Sequence, residues 1–195
     1  MKSKKTVEIA ISAIGAALYG VGALITISVV LGPLGIATLR PAIVIPMAIA
    51  CLFGYKVGFI CGALGNFLAD FIVYGLDPGE IPGIIASGFG AVITVLFVKI
   101  AEKRYKSEKT WLGFAILGSN VGLAWFAGFA VGFGNQLIGY IPTAEIAIIV
   151  AITIGIGNSI WACTIFPPIV MILRRYLIQT GFIKTTTPPE EDSPK

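Results

Sequence analysis

The sequence predicts an all-α integral membrane protein: six transmembrane helices in one compact bundle, with the N and C termini in the cytoplasm. Three observations predict it. Of the 195 residues, 56% are hydrophobic and 12% charged, and the mean hydropathy is +0.92, more apolar surface than a water-soluble globule can hide. The apolar residues gather into six runs, at 7–31, 41–53, 58–74, 81–100, 111–134 and 144–173. Laid out as alternating crossings, these runs put thirteen of the fourteen Lys and Arg residues on one side, which the positive-inside rule assigns to the cytoplasm.

Each run reads as a helix. About 20 residues cross the hydrocarbon core, and in lipid every backbone polar group must be bonded internally. Stretches such as 92-VITVLFVKI-100 and 146-IAIIVAITIGIG-157 are continuously apolar, whereas the strands of a barrel would alternate. The first run is as long as a full crossing and carries no cleavage signal, so it is expected to remain as a helix. Its segment 12-SAIGAALYG-20 places Ala13 and Ala17, and Ala16 and Gly20, four apart in smooth strips. Such strips let helices approach closely, and they serve this bundle's own packing if they face inward or a second membrane protein if they face outward.

The third run contains 65-GNFLAD-70, in which Asn66 and Asp70 share a helical face. An ionisable group at membrane depth is a functional candidate by default, although a clamp between helices uses the same residues. The fifth and sixth runs supply Asn120, Trp125, Asn135, Gln136, Tyr140, Glu145, Asn158 and Trp161. Aromatic faces with amides and a carboxylate suit a flat, polar small molecule. Trp125 and Trp161, which lie deeper, fit lipid-facing or core packing as well as a pocket wall. Trp111, at the cytoplasmic start of its run, is expected to be an interfacial anchor.

The connections are short, so one domain of residues 1–181 is expected. The segment 184-KTTTPPEEDSPK-195 cannot bury enough surface to order itself, which makes 182–195 a disordered cytoplasmic tail. Cys51, Cys61 and Cys163 lie within apolar runs without metal-ligand spacing and read as small buried residues. The chain has no His, the commonest general base and metal ligand, and no phosphate-binding loop of the Walker type. Ser87, in 83-GIIASGFG-90, lacks a base and a strand-to-helix setting and reads as small-residue packing. No catalytic group, cofactor or metal site is expected. A net charge of +4 is spread over membrane flanks, which suits anionic lipid and not nucleic acid.

Several of these features in order resemble the S components of energy-coupling factor (ECF) transporters, the membrane subunits that capture vitamins. They are the Ala13/Ala17 strip, the loop 32-GPLGIATLRP-41, the run 46-PMAIACLFGYKVGFICGALGNFLAD-70, the basic connection 101-AEKRYKSEK-109 and the closing 166-FPPIVMILRR-175. The register Phe53, Gly54, Gly58, Gly62, Asn66, Asp70 is similar to that family's second-to-third helix turn. The resemblance implies a substrate-binding subunit in the plasma membrane of a prokaryote, working with a membrane T component and two cytoplasmic ATPase subunits. It implies that Ala13 and Ala17 contact the T component, that the first loop covers an outward pocket ending at Arg40, and that the fourth to sixth helices hold the ligand. The substrate-binding set expected is therefore Arg40, Asn66, Asp70, Asn120, Trp125, Asn135, Gln136, Glu145, Asn158 and Trp161. Acids near the outer mouth, Asp77, Glu80 and Glu145, favour a neutral or cationic heterocycle, while Arg40 leaves a carboxylate-bearing ligand open. A passive channel is the rival reading, but it needs a continuous polar path, and the polar residues dwindle toward the cytoplasmic half of each run. A purely structural membrane subunit is the other.

Overall fold

A computed structural model describes residues 4–26, 30–31, 37–38, 40–105 and 107–183. Helix α1 spans Lys4–Thr26 and is followed by a two-residue antiparallel ladder, β1 (Val30–Leu31) with β2 (Ala37–Thr38). A 3-10 turn at Pro41–Ile43 leads into α2 (Val44–Phe53), and α3 (Tyr55–Tyr74) follows at once. A second 3-10 turn, Pro78–Glu80, precedes α4 (Ile81–Arg104). Then come α5 (Glu108–Ser119), a π-helical segment (Asn120–Phe126) and α6 (Ala127–Leu137), continuous along one axis from Glu108 to Leu137. Helices α7 (Ala144–Thr164) and α8 (Phe166–Gln179) close the chain.

The described residues hold five helical spans long and apolar enough to cross a membrane, plus the shorter apolar helix Pro41–Phe53. Two expected runs are corrected by this. The first ends at Thr26, because residues 30–31 pair with 37–38 as a strand ladder. The last divides at Ile165, where Pro167 and Pro168 open α8. Proline has no amide hydrogen to continue the preceding helix but fits a first helical turn. Large apolar side chains stand outward on the lipid-facing surfaces, among them Ile14, Leu18, Val21 and Ile25 on α1.

Small residues set the helix spacing. A Cβ added at Gly122 would lie 2.2 Å from the Gly90 carbonyl oxygen, and one at Gly132 would lie 2.3 Å from that of Ala147. Backbones at such separation need glycine on one side at least. The α3 stripe Gly58, Gly62, Asn66, Asp70 shows the same logic changing along one face. Gly58 presses on Ala50 and Gly62 on the Ser87 backbone, and one and two turns further on the face becomes polar. At the turn between α2 and α3, Gly54 takes φ 89°, a left-handed conformation that residues with a Cβ avoid.

The two ends of the bundle differ. At one end stand Lys56, Lys99, Lys103, Arg104, Lys109 and Arg175; at the other stand Asp70, Asp77, Glu80 and Arg40. The core between them and toward the basic end is apolar: Met47, Val95, Val98, Leu123, Phe166 and Val170 are all buried. Trp111 belongs to this core rather than to the membrane interface. It is 3% exposed, stacks under the Arg174 guanidinium at 4.5 Å, and donates from Nε1 to Glu102 at 3.4 Å. Arg174 and Arg175 both reach Glu108 at 3.3 Å, which ties α8 to the start of α5. Cys51 and Cys61 are buried, whereas Cys163 is exposed. Of the tail expected at 182–195, residues 182 and 183 are described, with Phe182 edge to face on Phe53, and residues 184–195 lie outside the described residues.

Candidate functional site

At the acidic end the helices part around a cavity of about 290 Å³. Its wall takes Tyr19 from α1, Arg40 from before α2, Asn66 and Asp70 from α3, Glu80 and Ser87 around the start of α4, Asn135 from α6 and Asn158 from α7. Asp77 and Tyr140, from the connections after α3 and after α6, complete it. Five helices, α1, α3, α4, α6 and α7, and the segments that connect them thus converge on a space the size of a small organic molecule.

A buried network forms one side. Arg40 Nη1 lies 2.7 Å from Asp70 Oδ1, with the side chains 12% and 2% exposed. Asn66 donates through Nδ2 to Asp70 Oδ2 and accepts at Oδ1 from Tyr19 Oη at 3.2 Å and from Arg40 at 3.4 Å. Both buried charges are therefore compensated, as burial demands. The Arg40–Asp70 approach is an ion contact without hydrogen-bond alignment, so Asp70 Oδ1 and Arg40 Nε each have hydrogen-bonding capacity unused by the described residues.

The opposite wall is built around the π-helical segment. Asn158 on α7 donates from Nδ2 to the Leu123 carbonyl at 2.9 Å, crossing between helices where the wider π turn loosens the regular ladder. Asn135 donates from its Nδ2 to Val131 one turn back, at 3.1 Å. Across the rim, Tyr140 donates its hydroxyl to Asp77, which also accepts from the Gly79 amide at 2.7 Å. The Tyr140 ring lies on Gly79, where an added Cβ would come within 2.7 Å of it. These bonds hold the Asp77 carboxyl below its usual range and push the Tyr140 hydroxyl above its own.

Of the ten residues expected to bind substrate, Arg40, Asn66, Asp70, Asn135 and Asn158 line this cavity. The other five lie elsewhere. Asn120 donates back to the Ile116 carbonyl at 2.9 Å and reaches the Cys163 sulfur at 3.6 Å. Trp125 covers Gly155 and tilts against Phe129. Trp161 packs on the apolar core. Gln136 is half-buried outside the wall, and Glu145 is exposed in the first turn of α7, where a carboxylate suits a helix N-terminus. The Ser87 backbone packs against Gly62 as expected of a small residue, and the residue also faces the cavity.

Tyr19 was not singled out by sequence; Tyr140, in the aromatic and amide cluster, and Glu80, at the acidic mouth, were noted but left out of the substrate-binding set. Tyr19 carried a usable signal, a hydroxyl on the same stripe as Ala16 and Gly20, which are buried against α3. On the opposite face of α1, Ala13 and Ala17 are exposed. The gate expected at 32–41 lies outside the described residues at 32–36 and 39.

Comparisons with known proteins agree with this architecture. The fold matches an S component of a bacterial ECF transporter with TM-score 0.60 at 16% identity, covering 91% of this chain and 99% of that one. It matches ThiT from Listeria monocytogenes with TM-score 0.58 at 20% identity, covering 91% and 98%. In sequence, a UPF0397 protein of Aliivibrio fischeri strain MJ11 is 32% identical over 139 residues, 69% of this chain and 68% of that protein. One from Vibrio atlanticus is 34% identical over 136 residues, 69% of each. Residues 3–175 match the family described as ECF-type riboflavin transporter, S component. The chain belongs to that family, whose members are membrane-embedded, substrate-binding transporter subunits and not enzymes.

Proposed function

We propose that this chain captures a small water-soluble vitamin or precursor at the outer face of a prokaryotic plasma membrane and hands it inward with an ATPase-driven partner module. The observation that carries this reading is the cavity itself, whose polar lining comes from both halves of the chain and is gathered at one end of the bundle. That end is extracellular if the basic end is cytoplasmic, as the positive-inside rule requires. The short helix Pro41–Phe53 then counts as a sixth crossing, both termini lie inside, and residues 1–181 act as one binding domain. Toward the basic end the α4 face continues as Ala91, Val95, Val98 and Ala101, all buried. From Ser87 to Ala101 this makes roughly 21 Å of apolar packing at about 1.5 Å per residue, which opposes a water-filled pore.

Transport therefore needs a second machine. The partners proposed are a T component and two cytoplasmic ATPases, with the exposed Ala13 and Ala17 as the docking strip on α1. Riboflavin, which the family description names, is the first solute to try. The test replaces Ala13 and Ala17 by Trp and measures solute binding and cellular uptake separately. Retained binding with abolished uptake supports capture and docking; unchanged uptake removes the strip, and uptake by the chain without ATPases removes the division of labour.

A further inference from the structure

We infer that an outward-facing apolar groove between α3 and α4 is a lipid site, which holds one acyl chain of a phospholipid whose headgroup carries a primary amine. The groove has its own walls and its own opening, and the inference holds whichever solute the cavity takes.

The groove encloses about 200 Å³. Its sides are Phe67 and Phe71 of α3 and Ile81 and Ile84 of α4, with Leu76 of the connection between them. Phe67 and Phe71 stack one turn apart, with ring centroids at 5.5 Å, and give α3 a flat aromatic flank. None of these five residues lines the solute cavity. Phe71, Leu76 and Ile81 are 45%, 82% and 52% exposed, so the groove opens on the surface that meets lipid. Asp70, Asp77 and Glu80 line both spaces and stand between them.

Lipid tails are as apolar as leucine, so the groove holds a chain by fit and without a hydrophobic driving force over the bulk bilayer. Selection among lipids then falls to the headgroup. Tyr74 and Tyr140, 45% and 44% exposed, flank the connection 75–80, and exposed tyrosines mark the headgroup level of a membrane. Asp77 lies at that level. Its bonds from the Gly79 amide and the Tyr140 hydroxyl both end on Oδ1, which leaves Oδ2 without a donor among the described residues. The same two bonds hold its carboxyl below the usual range, so it is charged at neutral pH. Arg40, the one cation at this end among the described residues, is 12% exposed and paired with Asp70. An anionic headgroup therefore meets Asp77 with no exposed cation to offset it. A primary ammonium gives Asp77 both a counter-charge and a hydrogen bond, whereas a quaternary one gives the charge alone.

The test is native mass spectrometry of the purified full-length chain in detergent, supplied with phosphatidylethanolamine, phosphatidylcholine or phosphatidylglycerol of identical chains. One phosphatidylethanolamine should be retained per protein, at about threefold to fivefold lower concentration than phosphatidylglycerol, the size of one partly exposed ion pair. Phosphatidylcholine should fall between them. Asp77→Asn should bring the three lipids within about twofold of one another, and Ile84→Trp, which fills the groove, should remove the single adduct for every headgroup. Melting curves show whether each variant is folded, and Ile81→Trp at the exposed mouth gives the same readout if Ile84→Trp is not. Equal retention of the three lipids by the natural chain, a preference for phosphatidylglycerol, or no adduct at all overturns the inference. An adduct unchanged in the filled-groove variants also overturns it, since that marks lipid bound anywhere on the surface. So does a dimer that disappears on filling the groove, which makes a second copy of the chain the occupant. The capture reading is untouched by each of these results, because the uptake measurement on the Ala13 and Ala17 variants tests it separately.

Discussion

The two ends of this bundle are made from the same helices and solve opposite problems. At the basic end, side chains close on one another: Trp111 is sealed under Arg174, and Val95, Val98, Phe166 and Val170 pack into one apolar core among the described residues. At the acidic end the same α3, α4 and α7 separate, and Arg40, Asp70, Asn66, Asn135 and Asn158 surround a space. Glycine at close crossings and polar groups one or two turns further on make the change within single helices. The difference teaches that an open polar cavity and a closed apolar core are divided between the two ends of one bundle, which suits the proposed capture of a solute without conduction.

Breaking the buried pair should have the largest effect. Asp70→Ala leaves Arg40 uncompensated at 12% exposure, with an expected loss of about 3 to 5 kcal/mol, read as a lowered midpoint in detergent melting. A paired Arg40→Leu and Asp70→Leu variant should recover much of the stability but not solute binding, separating charge compensation from recognition. Next comes the sealed half. Gly122→Val forces atoms against the Gly90 carbonyl, 2.2 Å from the first added carbon, and overpacking of this kind costs about 1 to 3 kcal/mol. Melting should drop while the solute affinity of the folded fraction holds, if the two ends are independent.

A smaller effect is expected at Asn158→Leu. It removes the bond to the Leu123 carbonyl and exposes that carbonyl to an apolar neighbour, a loss of about 1 to 3 kcal/mol; because Asn158 also lines the cavity, affinity should fall with stability, unlike at Gly122. The smallest effect belongs to the rim. Asp77 has its folded value depressed by Tyr140 and Gly79, so its contribution is present above the ordinary carboxylate range and lost as pH falls through the lowered value. Tyr140 has its value raised by Asp77, so its contribution is present below the ordinary phenol range and lost as pH rises through the raised value. The stability difference between the natural chain and Tyr140→Phe should therefore be flat between about pH 5 and 9 and fade only as pH falls through the lowered Asp77 value or rises through the raised Tyr140 value. A difference that changes sign or slope near neutrality contradicts the rim bond.

How much was legible in the sequence follows the same division. The α3 register was readable because regular α-helical spacing puts Asn66 and Asp70 on one face, and the charge asymmetry separated the two ends. The fifth span was not readable in the same way. Its Asn120–Phe126 segment is π-helical, so turns are wider than 3.6 residues and a helical wheel drawn from Asn120 misplaces Trp125 relative to Asn135. Proline at the start of α8 hid a break inside one apolar run. Tyr140 and Asp77 meet across 63 residues from two connections, where no periodicity links them. Glu145 lies outside the cavity wall, in the first turn of α7, a place that suits a carboxylate on electrostatic grounds alone.

The most direct measurement reconstitutes the purified chain alone in liposomes and follows the binding and the flux of one solute, beginning with thiamin and riboflavin. Saturable binding with no net entry of solute into the lumen is the predicted result. Entry of solute in proportion to its concentration, without any ATPase present, would contradict the account.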